Sequence, residues 1–124
     1  MKILIVDDDS YKVEMVSKYL KLHQIETAIS YNSAMRKIIA NQYNGIILDM
    51  GFPKFDDGYR YSKEHGLLIL SEMKRRNIIT PVMIFSGNRF DVSDYINVYE
   101  YVMSDTNYLK EKIENFISKI EKGL

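Results

Sequence analysis

Three short apolar runs constrain the fold of this chain more than any other feature of its sequence. They span residues 3–6, 46–48 and 82–85. Runs that are apolar at every position, rather than at alternate positions, are typical of strands buried on both faces of a sheet. Such strands occur almost only in parallel sheets that helices cover on both sides. The runs therefore predict an α/β fold around a parallel sheet.

Segments with helical spacing of apolar residues separate these strands. They follow residues 12, 32 and 66, and the last begins near residue 109. Weaker strand signals at 25–29 and 98–103 complete five strand–helix repeats. We expect Ser10 to cap the first helix and Asn32 or Ser33 to cap the second. At 124 residues the chain is short for two domains, so residues 1–124 are expected to form one.

Composition excludes several classes of function. Charged residues make up 27% of the chain and cancel to a formal net charge of +0, whereas a nucleic-acid binder usually carries a basic surplus. The chain has no cysteine, which rules out disulfides and thiolate metal sites. No apolar run approaches the roughly 20 residues of a membrane span, and the N-terminus lacks the pattern of a secretory signal. We therefore expect a cytoplasmic protein with no nucleic-acid or membrane partner.

Carboxylates follow two of the predicted strands directly. Asp7 and Asp8 come after the first strand and Asp49 after the third. Right-handed crossovers bring strand carboxyl ends to one edge of a parallel sheet, where the working site lies. Three carboxylates in one crevice repel one another unless some are protonated or a cation is bound. Magnesium suits such oxygen ligands, and a carboxylate whose charge is offset can attack phosphorus.

A simpler interpretation is that the acidic residues after the first strand only cap the first helix, since acidic side chains favour helix N-termini. It does not explain Asp49, which ends a strand far away in the sequence. Ser86 ends the fourth predicted strand, where its hydroxyl could donate to a phosphoryl oxygen. An ordinary turn serine is the alternative at that position.

Four segments in register give the chain a family resemblance. They are KILIVDDD at 2–9, ILDMGFP at 47–53, GLLIL at 66–70 and TPVMIFSG at 80–87. Together they resemble a bacterial response-regulator receiver domain over nearly the whole chain. The resemblance implies a flavodoxin-like, doubly wound five-stranded parallel sheet, (βα)5, with strand order 2-1-3-4-5.

The resemblance also implies a role for each matching residue. Asp49 would accept a phosphoryl group from a histidine kinase, a phosphotransfer protein or a small phosphodonor. Asp8 would bind Mg²⁺ or Mn²⁺ directly and Asp7 largely through water. The Gly51 carbonyl and Asp49 would complete the protein's share of the metal ligands. As a receiver, the chain would be a phosphoacceptor that catalyses its own phosphorylation and dephosphorylation rather than an enzyme acting on other molecules.

Two further residues match the family's conformational switch. Ser86 corresponds to the hydroxyl that moves toward the phosphoryl group, and Tyr101 to the fifth-strand aromatic whose rotamer follows it. The downstream partner would be a protein that the sequence does not identify. The segment between Ser86 and Tyr101 is shorter than is usual, so its helix should be reduced to a turn or two at 94–97. Because that helix belongs to the family's dimer face, at most a weak homodimer is expected.

Two departures concern the site itself. Counting from Tyr101, Ser104 occupies the place where the family has a lysine that pairs with the acceptor aspartate. Loss of one preorganised charge costs on the order of 10²–10³ in rate. The chain also carries an insertion after Pro53, within a long loop at 50–65. One hypothesis is that this insertion supplies the missing cation, from Lys54, Arg60, Lys63 or His65. The alternatives are a solvated loop or a partner surface built on Phe55, Tyr59 and Tyr61.

Three functions follow from these observations. The first is a working phosphoacceptor in a phosphorelay. The second is a pseudo-receiver, an interaction module that keeps the fold without phosphorylation, which the missing lysine favours. The third is another enzyme on the same fold. Against a dehalogenase-type phosphatase, Gly51 stands where a second aspartate is needed. Against a nucleotide or flavin site, no glycine-rich loop follows the first strand.

Overall fold

The computed structural model describes residues 1–123, so Leu124, the last residue of the predicted domain, lies outside the described residues. Five parallel strands form the main sheet: β1 (Lys2–Val6), β2 (Gln24–Ala28), β3 (Gly45–Leu48), β6 (Val82–Ser86) and β7 (Val98–Met103). A two-stranded antiparallel hairpin, β4 (Phe52–Pro53) and β5 (Tyr61–Ser62), lies between β3 and β6 in the sequence. The order of the main sheet is β2-β1-β3-β6-β7, which confirms the predicted flavodoxin-like 2-1-3-4-5 topology.

Within residues 1–123 four α-helices cover the sheet: α1 (Ser10–Ser17), α2 (Tyr31–Ala40), α3 (His65–Arg75) and α4 (Leu109–Glu121). Successive side chains of a strand point to opposite faces, so each central strand contributes to two cores. Leu4, Ile46 and Ile84 pack with α2 and α3 on one face. Ile5 and Phe85 belong to the core on the other face, with α1 and α4. This division explains why the central strands are apolar throughout.

Both predicted helix caps are wrong by a short distance. Asp9, not Ser10, caps α1, because its carboxylate accepts hydrogen bonds from the first backbone amides of the helix. Ser30 caps α2 and forms a capping box with Ser33, so Ser33 lies inside the helix. In each case the cap is the last extended residue before the helix, which the spacing of apolar residues does not locate. The strand predicted at 25–29 is also displaced by one residue, since β2 spans Gln24–Ala28.

Two connections depart from a simple repeat. The predicted long loop at 50–65 contains the β4–β5 hairpin, whose pairs are Phe52 with Ser62 and Pro53 with Tyr61. The connection between β6 and β7 has hydrogen-bonded turns near Asp94 and Asn97 and no α-helix, in line with the predicted shortening. No helix among the described residues is long and apolar enough to cross a membrane.

Candidate functional site

Three carboxylates meet at the carboxyl edge of the sheet. One oxygen from each of Asp7, Asp8 and Asp49 lies within 4.8 Å of the others. The backbone brings them together, because the Asp49 amide donates to the Val6 carbonyl and the Asp7 amide donates to the Ala28 carbonyl. β1 and β3 are thus held in register up to the point where both strands end. The predicted convergence of these aspartates is what the structure shows.

Burial and mutual repulsion perturb this acidic cluster. Asp7 is buried, and burial, followed by the negative charge of Asp49, raises its pKa to about 6. Partial burial also raises the pKa of Asp8, which is otherwise exposed, and the charge of Asp49 adds to the effect. Burial is the larger cause of both pKa shifts and the negative charge of Asp49 adds to it, so the fully ionised cluster is unfavourable without a cation. Hard divalent cations with oxygen ligands offset this negative charge, so the donor set fits Mg²⁺ or Mn²⁺.

Lys12 lies against the acidic cluster. Its Nζ is 3.1 Å from Oδ2 of Asp7 and 3.4 Å from Oδ1 of Asp49. It also donates a hydrogen bond to the Phe85 carbonyl oxygen at 3.2 Å. Burial alone would lower the pKa of Lys12, but the charges of Asp49 and Asp7 more than offset this and raise it. The ammonium therefore stays charged at neutral pH and offsets part of the charge of the cluster.

The oxygens of Asp49 differ in their surroundings. Oδ1 accepts a hydrogen bond from the Met50 amide at 2.8 Å and pairs with Lys12. Oδ2 accepts no hydrogen bond from residues 1–123 in the structure. Both oxygens of Asp7, by contrast, have partners, since its Oδ1 accepts from the Asp9 amide at 2.9 Å and its Oδ2 pairs with Lys12. The second oxygen of Asp49 is therefore available to a ligand.

Comparison with solved structures gives matches along almost the whole chain. The receiver domain of Francisella response regulator 1452 is 22% identical, with a TM-score of 0.77 and coverage of 99% of this chain and 98% of that one. The response regulator TrrA of Thermotoga maritima, solved in complex with Mg²⁺-BeF, is 26% identical, with a TM-score of 0.70 and coverage of 93% and 97%. A CheY-like receiver domain protein of Methanospirillum hungatei is 22% identical, with a TM-score of 0.72 and coverage of 99% and 98%.

The chain has the fold of a response-regulator receiver domain. No model of a protein family matched its sequence, and no curated protein matched it either. The assignment to this fold therefore rests on structural similarity of the backbone. The acidic cluster at the edge of this receiver fold is consistent with a phosphoacceptor site, because it lies where the first and third strands of the sheet end.

The two residues predicted to act as a switch lie on neighbouring strands of the receiver fold. Ser86 is the last residue of β6 and is fully buried, and its hydroxyl accepts a hydrogen bond from the Asn88 amide at 3.2 Å. Tyr101 lies on β7 and is half-buried. Its hydroxyl donates to the Asn88 carbonyl and accepts from the Phe90 amide at 3.0 Å. Both side chains thus bind the loop that follows β6.

Ser104 takes the place after the fifth strand of the sheet, as the sequence predicted. Its amide donates to the Ser86 carbonyl at 2.9 Å, so it lies beside the end of β6. Gly87 is also close, since a Cβ built on that glycine would lie 3.3 Å from the Ser104 hydroxyl. This position therefore carries a neutral hydroxyl next to the site.

The hypothesis that the insertion supplies the missing cation is wrong in this structure. The Lys54 ammonium lies over the Phe55 ring, 5.6 Å from its centroid, and the Arg60 guanidinium lies over the Tyr59 ring at 5.7 Å. His65 is buried, with Nδ1 2.7 Å from the Phe52 carbonyl oxygen. Lys63 makes no ion pair with the acidic cluster among the residues described. Aromatic rings contact the cations of Lys54 and Arg60, and Lys12 occupies the position beside Asp49 instead.

Two glycines let backbone approach the site closely. A Cβ on Gly66 would lie 2.7 Å from both the Asp49 carbonyl oxygen and the Met50 Cα. Only glycine therefore allows α3 to begin against the segment that carries Asp49. A Cβ on Gly51 would collide with the Tyr61 hydroxyl. The Gly51 carbonyl remains a predicted metal ligand.

Tyr61, in the insertion, lies close enough to the acidic cluster to be affected by its charge. Burial raises the pKa of its hydroxyl, and the charges of Asp49 and Asp8 raise it further. The side chain is nevertheless largely exposed, so it borders the site without closing it. From the sequence, Tyr61 is predicted only as part of an aromatic partner surface, because a hairpin with two residues in each strand leaves no recognisable strand pattern.

Lys12 was not predicted from the sequence as a residue of the site. Lys12, Val16 and Leu20 are spaced four residues apart and so share one face of α1 and the turn that follows it. Val16 and Leu20 are buried in the core. A lysine on the apolar stripe of a helix that begins next to an acidic strand end is a readable signal. A lysine in the first turn of a helix is usually expected to be exposed to solvent, so this spacing alone did not predict that Lys12 belongs to the site.

Proposed function

We propose that Asp49 accepts a phosphoryl group, with the help of a divalent metal ion, in a phosphorelay. The observation that carries this proposal is the convergence of Asp7, Asp8 and Asp49 at the carboxyl edge of a receiver fold. Oδ2 of Asp49 is the nucleophile that the surroundings favour, because it accepts no hydrogen bond from residues 1–123, whereas Oδ1 accepts one from the Met50 amide and is the oxygen closest to Lys12. Residues 1–124 would act as a single receiver-like domain.

The metal ligands in this proposal are Asp7, Asp8 and Asp49 with the Gly51 carbonyl. Three carboxylates and one ammonium carry a net charge of −3 + 1 = −2, which one divalent cation neutralises. When bound, Mg²⁺ or Mn²⁺ would offset the negative charge that builds up on the transferred group. The related TrrA protein was solved with Mg²⁺-BeF, which supports the same ion and the same class of ligand here.

The protein's part in the transfer follows from its fixed groups. A lone pair on Oδ2 of Asp49 forms the new bond to phosphorus while the bond from phosphorus to the donor breaks. The electron pair of that bond leaves with the donor, either the imidazole of a phosphohistidine or the carboxylate of an acyl phosphate. The Ser86 hydroxyl would then donate a hydrogen bond to a phosphoryl oxygen. Tyr101 would change rotamer as the loop after β6 moves. The phosphoryl donor is a histidine kinase or a phosphotransfer protein, and the signal passes to a downstream protein.

The direct experiment is incubation with Mg²⁺ and acetyl phosphate, followed by intact mass spectrometry. We expect one added phosphoryl group on the wild type, stable to acid and labile to base. Asp49→Asn is nearly isosteric and should add none, while Asp57→Asn on the exposed insertion is the matched control and should behave as wild type. A wild type that gains no phosphoryl group, with or without Mg²⁺, would show that the proposal is wrong.

A second candidate, the pseudo-receiver, has one observation in its favour. Lys12 pairs with Asp7 and Asp49 at once and so stabilises both carboxylates without any metal. A site held closed in this way could serve a phosphorylation-independent interaction module. This candidate predicts that Mg²⁺ neither binds nor changes the protein, which magnesium titration followed by NMR separates from the first.

A further inference from the structure

We propose that Lys12, on the first helix, is the phosphoryl-binding cation of this site and takes the role that the receiver family gives to a lysine after the fifth strand. The inference rests on the proposed function of Asp49. It adds a residue that the sequence resemblance does not assign, because the matching position carries Ser104.

Three acceptors fix the Lys12 ammonium in place. Nζ lies 3.1 Å from Oδ2 of Asp7, 3.4 Å from Oδ1 of Asp49 and 3.2 Å from the Phe85 carbonyl oxygen. An ammonium has three donors, so these three atoms match its capacity. The Phe85 carbonyl is a backbone atom near the end of β6, and it cannot rearrange as a side chain could. The ammonium is therefore oriented before any ligand arrives.

The aliphatic part of the side chain is held as well. Nζ lies 5.1 Å from the centroid of the Phe85 ring, and only 16% of the side chain is exposed. Phe85 precedes Ser86 in β6, so the ammonium contacts the residue next to the one that carries the predicted switch hydroxyl. The helix supports this placement from the other side, since Val16, one turn further along α1, is buried in the core. A cation with so little freedom acts as a preorganised electrostatic group.

The position of the charge suits the transfer to Asp49. Lys12 is closest to Oδ1, and Oδ2, which accepts no hydrogen bond from residues 1–123, forms the bond to phosphorus. With acetyl phosphate as donor, the bond between phosphorus and the acyl oxygen breaks and its electron pair leaves on acetate. Lys12 neither gains nor loses a proton in this step. Its ammonium exchanges a carboxylate contact for one with an oxygen of the phosphoryl group next to Asp49, whose charge it offsets.

The same position makes Lys12 a competitor of the metal ion. Its contacts with Asp7 and Asp49 use oxygens of two of the three acidic residues in the cluster. Removal of the ammonium should therefore strengthen magnesium binding and slow phosphorylation at the same time. Loss of structure would weaken both, so these opposite effects separate a phosphoryl-binding role from a merely structural one.

The test compares Lys12→Met with wild type in two assays. Methionine keeps the apolar contact with Phe85 and removes the charge. We expect the initial rate of phosphorylation by acetyl phosphate to fall by about 10²-fold. Magnesium affinity should rise by roughly tenfold or more, because a nearby positive charge is lost. Lys18→Met, an exposed lysine just after the same helix, is the matched control and should leave both values unchanged.

Two further variants and one measurement on the wild type complete the test. Lys12→Arg should keep more of the rate than Lys12→Met, and Ser104→Lys combined with Lys12→Met should restore part of the lost rate. NMR of wild type with ¹³C-labelled lysine should show the Lys12 side-chain signal shifting when beryllofluoride and Mg²⁺ are added, and the Lys18 signal unchanged. This last measurement needs no variant to fold.

The outcomes separate the two proposals. A wild type that is phosphorylated, with Lys12→Met within threefold of its rate and no shift of the Lys12 signal, overturns the role of Lys12 and leaves Asp49 as the acceptor. A fall in both rate and magnesium affinity in a folded Lys12→Met protein also overturns it. A wild type that takes up no phosphoryl group overturns both proposals.

Discussion

The Nζ of Lys12 lies 3.4 Å from Oδ1 of Asp49, although the two residues belong to different elements, α1 and the end of β3. The contact exists because α1 begins directly beyond β1 and packs on the face of the sheet that also holds Phe85. It places one positive charge among three carboxylates. The acidic cluster is therefore partly neutralised by the chain itself, and the metal ion in our proposal completes the neutralisation.

The ion pairs of Lys12 with Asp7 and Asp49 should contribute to the stability of the protein when no metal is bound. In metal-free Lys12→Met the carboxylates of Asp7 and Asp49 stay in a partly buried place without their cation. We expect the free energy of unfolding at pH 7 to fall by about 2 kcal/mol, less than for a fully buried pair because the group keeps some contact with water. Urea denaturation measures this, with Lys18→Met as control. Added Mg²⁺ should recover part of the loss, and a loss independent of Mg²⁺ would contradict the account.

Asp7 should make the stability of the metal-free protein depend on pH. Its pKa is about 6 in the folded protein and 3.8 ordinarily, so the folded state holds the proton more tightly. The contribution of Asp7 is thus fully present below about pH 4 and is lost as the pH rises through 6. A shift of this size is worth on the order of 2–3 kcal/mol. The difference in unfolding free energy between wild type and Asp7→Asn, measured from pH 4 to 7.5, should change by about this amount, and a constant difference would refute it.

Gly66 should tolerate no side chain. A Cβ there would lie 2.7 Å from the Asp49 carbonyl oxygen and from the Met50 Cα, and both are backbone atoms that cannot turn aside. We expect Gly66→Ala to lower the free energy of unfolding by about 2 kcal/mol or more and to weaken magnesium binding. Ser71→Ala, at an exposed position of the same helix, is the control and should change neither. Equal stability of the two variants would contradict the close packing described.

The insertion should be fastened to α2 by Asp56. Its Oδ1 accepts a hydrogen bond of 2.6 Å from the Ser30 hydroxyl, and the Asn32 amide donates to the Lys54 carbonyl at 3.0 Å. We expect Asp56→Ala to cost about 1 kcal/mol and to speed hydrogen exchange at the Asn32 amide. Asp57→Ala is the matched control, because that carboxylate bonds only the Tyr59 amide within its own turn. Equal exchange rates in the two variants would exclude this role for Asp56.

The sequence predicted the sheet and its acidic edge because both depend on local pattern. Continuous apolar runs identify the central strands, and the first polar residue after each run marks its end. For Asp7 and Asp49 that pattern, with the right-handed crossover, is enough to predict that they meet. The shortened connection between Ser86 and Tyr101 was also predicted from the sequence, because the segment has too few residues for a full helix and its flanking turns.

Lys12 and the insertion could not be read in the same way. The place of Lys12 depends on how α1 packs against β6, far away in the sequence, and its spacing from Val16 gives only a hint. The insertion carries four candidate cations, and sequence alone gives no order among them. Contacts in the folded chain decide the outcome, since aromatic rings contact the cations of Lys54 and Arg60, and His65 is hydrogen-bonded to the Phe52 carbonyl.

The most direct test of the central claim is ¹⁹F NMR of beryllofluoride with the purified protein and Mg²⁺. If Asp49 is the acceptor within a metal-binding cluster, wild type should give bound fluoride resonances that vanish when Mg²⁺ is removed, and Asp49→Asn should give none. Bound resonances of equal intensity in wild type and Asp49→Asn, or their absence from wild type at saturating Mg²⁺, would contradict the assignment of Asp49.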